Sequence, residues 1–213
     1  MSNVNTTAPE LAAVEIDGMN RSTFILKGAL AAGAVYGTWA VSPFVRQALA
    51  QELIPGGGEG DIGILNFALT LEYLEATFYQ RGQKLELSGE VMQLAKLIGD
   101  HENEHVVALT KTINDLGGKP VPAPMVAFSM KNQGQFLKLA QTLEDTGVGA
   151  YNGAAPLIKS KDVLAAAGSI VQIEARHAAA IRFVNKVSTA PDAFDEALEM
   201  QAVLDAVKPF IAA

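Results

Sequence analysis

The feature that most constrains this sequence is an internal repeat, in which a set of polar residues recurs 72 positions further along the chain. The alignment of the two copies needs no gap over more than 40 residues. The repeated polar residues are four glutamates and two histidines: Glu72, Glu102 and His105 in the first copy, and Glu144, Glu174 and His177 in the second. A helical core does not otherwise require such residues. Two copies packed about a two-fold axis would place the two sets face to face.

Long helical stretches contain these residues, and no alternation typical of strands extends over more than a few positions. Helices are expected at about 61–83, 89–116, 132–158 and 161–187, followed by a short terminal helix. About five residues join the first two helices and also the last two, which predicts two antiparallel hairpins. The roughly 14 residues between the hairpins can span about 45 Å, and a 27-residue helix is about 40 Å long. The predicted fold class is therefore all-α, a four-helix bundle of two antiparallel hairpins joined by a long crossover.

The chain is expected to divide into a leader at 1–50, a linker at 51–60, the bundle at 61–190 and a helical tail at 191–213 packed on the bundle. In the leader, Arg21 and Lys27 precede an apolar run at 28–45, and Ala48-Leu49-Ala50 resembles a cleavage site. This order is typical of an export signal, and it resembles a twin-arginine signal in which Asn20 stands at the first arginine. We therefore expect the protein in the periplasm or the cell envelope. The alternatives are a membrane anchor formed by residues 28–45 and a buried soluble helix.

The composition excludes several classes of function. The chain has 16 basic and 23 acidic residues, and its net charge of −7 argues against nucleic acid or an anionic membrane as the main partner. It has no cysteine, so a disulfide, a thiolate zinc site, an iron–sulfur cluster and thiol catalysis are excluded. Oxygen and imidazole groups remain as candidate ligands.

The spacing of the repeated residues predicts a metal site in the core of the bundle. Each copy contains Glu-x-x-His, and residues three apart share a helix face, so each carboxylate and its imidazole point the same way. Four carboxylates meeting in a helical core would repel one another and lose hydration, at a cost of several kcal/mol per ion. Two divalent cations would cancel the charge of four glutamates. Oxygen and imidazole ligands suit iron or manganese, with zinc as an alternative occupant.

The same pattern suggests a role for each residue. Terminal binding of one ion is expected for Glu72 and for Glu144, bridging for Glu102 and Glu174, and capping of one ion for His105 and for His177. Four further residues are candidates for supporting these ligands: Tyr79, Tyr151, Glu75 and His101. The two tyrosines recur in the repeat, and their hydroxyls could donate to a ligand carboxylate or tie helices together in the core. Glu75 and His101 have no counterpart in the repeat, so each could join the site or simply face solvent.

The order of these motifs resembles the ferritin-like superfamily of di-iron carboxylate proteins: Glu, Glu-x-x-His, a crossover, Glu and Glu-x-x-His. The segment LNFALTLEYLEATFY at 65–79 and the exported leader look like the bacterial branch related to plant desiccation-related proteins. The resemblance covers about residues 60–187. It implies a ferritin-like bundle that holds two divalent ions, iron before manganese or zinc, and that oxidises Fe(II) or consumes dioxygen or peroxide in a stress response. The alternative is a non-catalytic stress protein of the cell envelope, in which the metal pair is structural.

The expected partners follow from this resemblance. They are Fe(II) or a small oxidant, either dioxygen or peroxide, and no catalytic residue beyond the metal ligands is expected. The amphipathic segment at 194–210 could cover the bundle or a neighbouring subunit of a homo-oligomer. A helical partner-binding module without metal is disfavoured, because such a module would not need the repeated glutamates and histidines.

Overall fold

The computed structural model of the protein describes residues 58–211. The predicted leader at 1–50, with its apolar run at 28–45, lies outside these residues, as does most of the linker. The described part is all-helical, as predicted, and its helices are α1 (Gly60–Gly82), α2 (Gly89–Asp115), α3 (Gln133–Ala154), α4 (Lys161–Val184) and α5 (Met200–Val207), with 3₁₀ turns at Ala155–Leu157 and Lys208–Phe210. No helix within these residues is long and apolar enough to cross a membrane.

The first four helices form two hairpins that pack against each other. α1 packs against α2 and α3 against α4, and each pair is joined by a short connection, at 83–88 and at 155–160. α1 also packs on α3, and α2 on α4, so the four helices close into a bundle. The side chain of Asn132 accepts a hydrogen bond from Gln135 N–H (3.0 Å) and begins α3 as its N-cap. Ser160 begins α4 in the same way.

Residues 116–132 cross from the end of α2 to the start of α3 along the side of α1. Early in this segment, the backbone N–H of Val121 donates to the side chain of Asn66 in the first turns of α1 (2.8 Å). Later, Phe128 packs edge-on against Phe78, about three turns further along α1. The crossover therefore runs along the bundle beside α1.

The starts of the helices meet in pairs at the two ends of the bundle. At one end, Ser88 N–H donates to Gln133 Oε1 (2.7 Å), which joins the starts of α2 and α3. At the other end, the carboxylate of Asp61 accepts from the N–H groups of Lys159 and Ser160 (2.8 and 2.7 Å), which joins the start of α1 to the start of α4. α2 and α3 are therefore parallel to each other and antiparallel to α1 and α4, as the long crossover predicted.

The tail packs on α3 and contains the short helix that was expected, at Met200–Val207. Before this helix, Leu198 lies across two glycines of α3. Its N–H donates to the carbonyl of Gly149 (2.9 Å), and a Cβ atom at Gly153 would overlap the Leu198 carbonyl. The glycines that weaken α3 by helix propensity therefore admit the backbone of the tail.

Candidate metal centre

The six repeated residues lie well inside the four bundle helices, away from the capping positions. α1 contributes Glu72, α2 contributes Glu102 and His105, α3 contributes Glu144, and α4 contributes Glu174 and His177. All six are buried, with exposed fractions between 0% and 9%. The structure therefore brings together every residue that the repeat singled out.

The first cluster, the His105 group, consists of Glu72, Glu102, His105 and Glu174, and one ligand atom of each lies within 4.8 Å of the others. His105 Nδ1 is 2.9 Å from Glu174 Oε1 and 3.3 Å from Glu72 Oε2. It is 3.4 Å from Oε2 of Glu102, the glutamate of its own helix. The imidazole of His105 thus faces carboxylates from three helices.

The second cluster, the His177 group, consists of Glu102, Glu144, Glu174 and His177, again within 4.8 Å of one another. His177 Nδ1 is 2.9 Å from Glu102 Oε1, 3.5 Å from Glu144 Oε2 and 3.8 Å from Glu174 Oε2. Glu102 and Glu174 belong to both groups, and each turns one oxygen toward each histidine. The two groups are therefore adjacent, and the shared glutamates occupy the places expected for bridging ligands.

The two tyrosines connect the hairpins at the glutamates that are not shared. Tyr79 Oη donates to Glu144 Oε1, and Tyr151 Oη donates to Glu72 Oε1 at 2.5 Å. Each tyrosine thus holds the glutamate of the opposite hairpin. The hydrogen bond occupies Oε1 of that glutamate and leaves Oε2 facing a histidine.

Glu75 is a fifth buried carboxylate in this region, exposed by only 4%. Its side chain reaches from α1 to α3, where a Cβ atom at Gly147 would lie 3.2 Å from Glu75 Oε1 and 3.6 Å from Glu174 Oε2. Gly147 is also the repeat counterpart of Glu75. The repeat thus pairs a glutamate in α1 with the glycine in α3 that makes room for its carboxylate.

His101 is half-buried and contacts one of the two groups. Its Nδ1 lies 2.9 Å from His177 Nε2, the nitrogen that does not face the carboxylates. If His177 binds a cation through Nδ1, Nε2 carries the proton and donates it to His101. His105 has no such neighbour by the repeat, because the counterpart of His101 is Ile173.

Comparison with known proteins identifies the family of this bundle. The ferritin-like domain family matches residues 60–186, more than half of the chain. The chain belongs to the ferritin-like family. No curated protein is similar enough to the chain to count as a match.

Two crystal structures have folds similar to this ferritin-like chain. One is a conserved hypothetical protein from Mycobacterium tuberculosis, with a TM-score of 0.55, 18% identity, and coverage of 63% of this chain and 96% of that one. The other is a ferritin-like, diiron-carboxylate protein from Bacillus anthracis str. Ames, with a TM-score of 0.51, 18% identity, and coverage of 68% and 99%. At this identity the likeness establishes the fold.

The polar atoms inside the ferritin-like bundle fit a pair of cations. Within residues 58–211, five buried side-chain atoms have no hydrogen-bond partner: Glu102 Oε1, Glu144 Oε2, both carboxylate oxygens of Glu174, and His177 Nδ1. His177 Nδ1 is only 2.9 Å from Glu102 Oε1, but their relative orientation does not make a hydrogen bond. Such groups cost about 1–3 kcal/mol each when buried without a partner, and more when charged. All five belong to the two groups that could each hold a cation, so the residues present fit a di-metal centre.

Without metal, protons balance the charge of these groups. Burial alone would lower the pKa of His105, but its carboxylate neighbours, Glu102 foremost, raise that pKa to about 12. For His177, burial is likewise outweighed by carboxylates, and the pKa rises to about 11. Burial raises the pKa of Glu144 to about 8 and that of Glu72 well above its usual range. The metal-free centre therefore holds protons at neutral pH, and divalent cations would displace them.

Sequence reasoning missed the contribution of Gly147. The glycine at the repeat position of Glu75 looks like a simple loss of symmetry. The signal that could have found it is the correspondence of Glu75 with Gly147 in the repeat. Packing about a two-fold axis brings residues at corresponding positions toward each other. The orientation of the tyrosines toward the opposite hairpin was also not predictable, since both directions satisfy the same spacing.

Proposed function

We propose that this protein is a di-iron carboxylate protein that oxidises Fe(II) with dioxygen or peroxide. The observation that carries the proposal is the sharing of Glu102 and Glu174 between two adjacent clusters, with one oxygen toward each histidine. A pair of redox-active cations at such adjacent positions supplies two electrons together, as the reduction of peroxide to two waters requires.

The side chains of the chain have three tasks in this proposal. The glutamates and histidines bind the cations with oxygen and imidazole ligands, which iron and manganese accept. The bundle excludes bulk water, since none of the six residues is exposed by more than 9%. Tyr79 and Tyr151 hold Glu144 and Glu72 by hydrogen bonds and so fix the direction of their second oxygen.

The comparison with solved structures adds support. The Bacillus anthracis protein of the same fold is a diiron-carboxylate protein, and the present chain has the donor set that two such ions need. The choice of iron over manganese or zinc is part of the proposal.

Fe(II) oxidation by the metal-free protein tests the proposal directly. Fe(II) added in air to the wild-type protein should be oxidised faster than in buffer, with the absorption of an oxygen-bridged ferric pair. The double variant Glu102→Ala, Glu174→Ala should oxidise Fe(II) at the rate of buffer. Glu104→Ala is the matched control, because Glu104 lies on the same helix but is exposed, and it should behave as the wild type. Equal rates for the wild type and the double variant would contradict the proposal.

A second candidate is a structural role for the metal pair. It is favoured by the origin of the six residues in all four helices, because cations bound there would link both hairpins. In this case metal removal should lower the melting temperature strongly, while the metal-loaded protein consumes neither dioxygen nor peroxide. Turnover of either oxidant by the metal-loaded protein would exclude a purely structural role.

The location and the stress role stay predictions. We propose export to the cell envelope, or anchoring there by residues 28–45, and protection against oxidants during stress. N-terminal sequencing of the protein from its own host tests the export signal, because cleavage should leave Gln51 as the first residue. An intact N-terminus in a membrane fraction would favour the anchor instead.

A further inference from the structure

The two clusters have the same ligand types but differ in their surroundings, and Glu75 is the largest difference. Glu75 is on α1, one turn after Glu72, which belongs to the His105 group. Its carboxylate nevertheless reaches α3 at Gly147, the helix that carries Glu144 of the His177 group. The side chain thus crosses from the helix of one group to the helix of the other.

Distances place the Glu75 carboxylate on the side of the His177 group. The Cβ position at Gly147 is 3.2 Å from Glu75 Oε1 and 3.6 Å from Glu174 Oε2. Glu174 Oε2 is the oxygen that faces His177 Nδ1, at 3.8 Å, whereas Glu174 Oε1 faces His105. A Cβ atom at position 147 would press on the carboxylate of Glu75, so the glycine leaves this carboxylate room.

The electrostatic environment of Glu75 agrees with this placement. Burial raises the pKa of Glu75 most, and the carboxylate of Glu144 is the next largest cause. Of the four carboxylates that raise this pKa, Glu72 contributes least, although it is only one turn away on the same helix. Glu75 therefore interacts more strongly with the ligand that is unique to the His177 group than with the ligand unique to the His105 group.

Two further observations distinguish the His177 group. Of the five buried atoms without a hydrogen-bond partner, four are His177 Nδ1 itself and the three carboxylate oxygens that face it: Glu102 Oε1, Glu144 Oε2 and Glu174 Oε2. His177 Nε2 is also held by His101 Nδ1 at 2.9 Å, which fixes the orientation of the ring. The ligand atoms on this side are thus less satisfied by hydrogen bonds, and the ring of His177 is held in its orientation.

We propose that Glu75 strengthens divalent-cation binding at the His177 group alone, so that the two positions of the centre have unequal affinities and the His177 group fills first. The inference rests on the proposed function in one respect, that both groups bind cations. Mechanistically, the buried carboxyl group would give up its proton when a cation binds, and it would then add negative charge and a fifth donor next to one position. The repeat counterpart of Glu75 is Gly147, which has no side chain, so the His105 group has no equivalent carboxylate beside it.

The test is a titration of the metal-free protein with Mn(II). Calorimetry measures the heat of binding, and electron paramagnetic resonance measures the Mn(II) that stays free. Glu75→Gln keeps the shape of the side chain and removes its charge. It should weaken one of the two binding events about 10-fold and leave the other within about twofold. Glu104→Gln, which removes an exposed charge on α2, should change neither event, and the melting temperature of each metal-free variant reports on folding.

Histidine backgrounds show which position is affected. His105→Ala leaves the His177 group intact, and in this background Glu75→Gln should still cost about 10-fold. His177→Ala leaves the His105 group intact, and there Glu75→Gln should have no effect. Equal losses in the two backgrounds, or no loss in either, would overturn the inference.

A second measurement does not depend on histidine variants. Crystals of the wild-type protein with one equivalent of Mn(II) should show a clearly higher anomalous peak at the His177 group than at the His105 group, and Glu75→Gln crystals should show a smaller difference between the two peaks. Similar peaks in the wild type would overturn the inference. Fe(II) oxidation with no effect of Glu75→Gln on either position would overturn it and leave the proposed function standing. Unequal Mn(II) binding without Fe(II) oxidation would do the reverse, and a protein that binds no Mn(II) would overturn both.

Discussion

The His105 group and the His177 group are built from the same ligand types by the two copies of one repeat, yet their surroundings differ. Each histidine faces one glutamate that belongs to its group alone and two glutamates that both groups share. Only the His177 group has Glu75 beside it and His101 behind its imidazole. Duplication thus supplies the ligands, while substitutions at single repeat positions make the two halves unequal.

Substitutions of the two shared glutamates should have the largest effect, because they should weaken cation binding at both groups. Glu102→Gln and Glu174→Gln should each weaken Mn(II) binding at both positions by at least about 100-fold, because each carboxylate turns an oxygen to both histidines. Glu144→Gln should weaken the position at the His177 group alone. Calorimetric titration measures both affinities, and a shared-glutamate variant that loses only one ion would show that the two groups do not share ligands.

The pH dependence of binding should be almost as large. The raised pKa values of His105 and His177, about 12 and 11, mean that both imidazoles carry an extra proton in the metal-free protein at neutral pH. Each must lose that proton to bind a cation, and Glu72 and Glu144, whose pKa values are also raised, must lose theirs. Affinity therefore rises with pH, and the product of the two affinities should gain at least about 100-fold per pH unit. Calorimetry in buffers of different ionisation enthalpy counts the protons. His105→Ala and His177→Ala should each reduce the count by about one, and binding without proton release would contradict the proposed ligands.

Variants of the two tyrosines should have smaller effects on Mn(II) affinity, each at the group that contains the glutamate of the opposite hairpin. Tyr79→Phe removes the hydrogen bond to Glu144, so it should weaken the position at the His177 group about 10-fold, although Tyr79 belongs to the first hairpin. Tyr151→Phe should do the same to the His105 group through Glu72. Site-resolved Mn(II) occupancies in crystals measure the effect. Weakening on the same side as the mutated helix would contradict the observed hydrogen bonds.

His101 should have the smallest effect. His101→Ile introduces the residue of the repeat counterpart, Ile173, and removes the hydrogen bond to His177 Nε2. Because His101 is half-buried and acts only on the orientation of the ring, the loss at the His177 group should be about 10-fold at most. The same titration measures it, and an equal loss at the His105 group would argue against an orienting role.

The sequence predicts the site better than it predicts the parts that support it. The repeat identifies Glu72, Glu144 and the two Glu-x-x-His motifs, because helical spacing and an exact offset are local properties of the sequence. Loop lengths likewise predict the hairpins and the crossover. The contact of Glu75 with Gly147 depends on the distance between the two hairpins, and so does the contact of His101 with His177. The spacing of residues along the sequence does not determine that distance.

The glycines of α3 show the same limit. By propensity they weaken a helix, although the sequence still predicts a long helix there. The structure instead uses Gly147 to admit a carboxylate and Gly153 to admit the backbone at Leu198. A glycine that destabilises a helix locally can therefore stabilise the fold through a close approach that only the tertiary structure shows.

The most direct test of the account is anomalous diffraction from crystals of the metal-loaded protein at the iron and manganese edges. We expect two adjacent peaks, one among Glu72, Glu102, His105 and Glu174, and one among Glu102, Glu144, Glu174 and His177. A single peak outside these groups, or no peak in fully loaded protein, would contradict it.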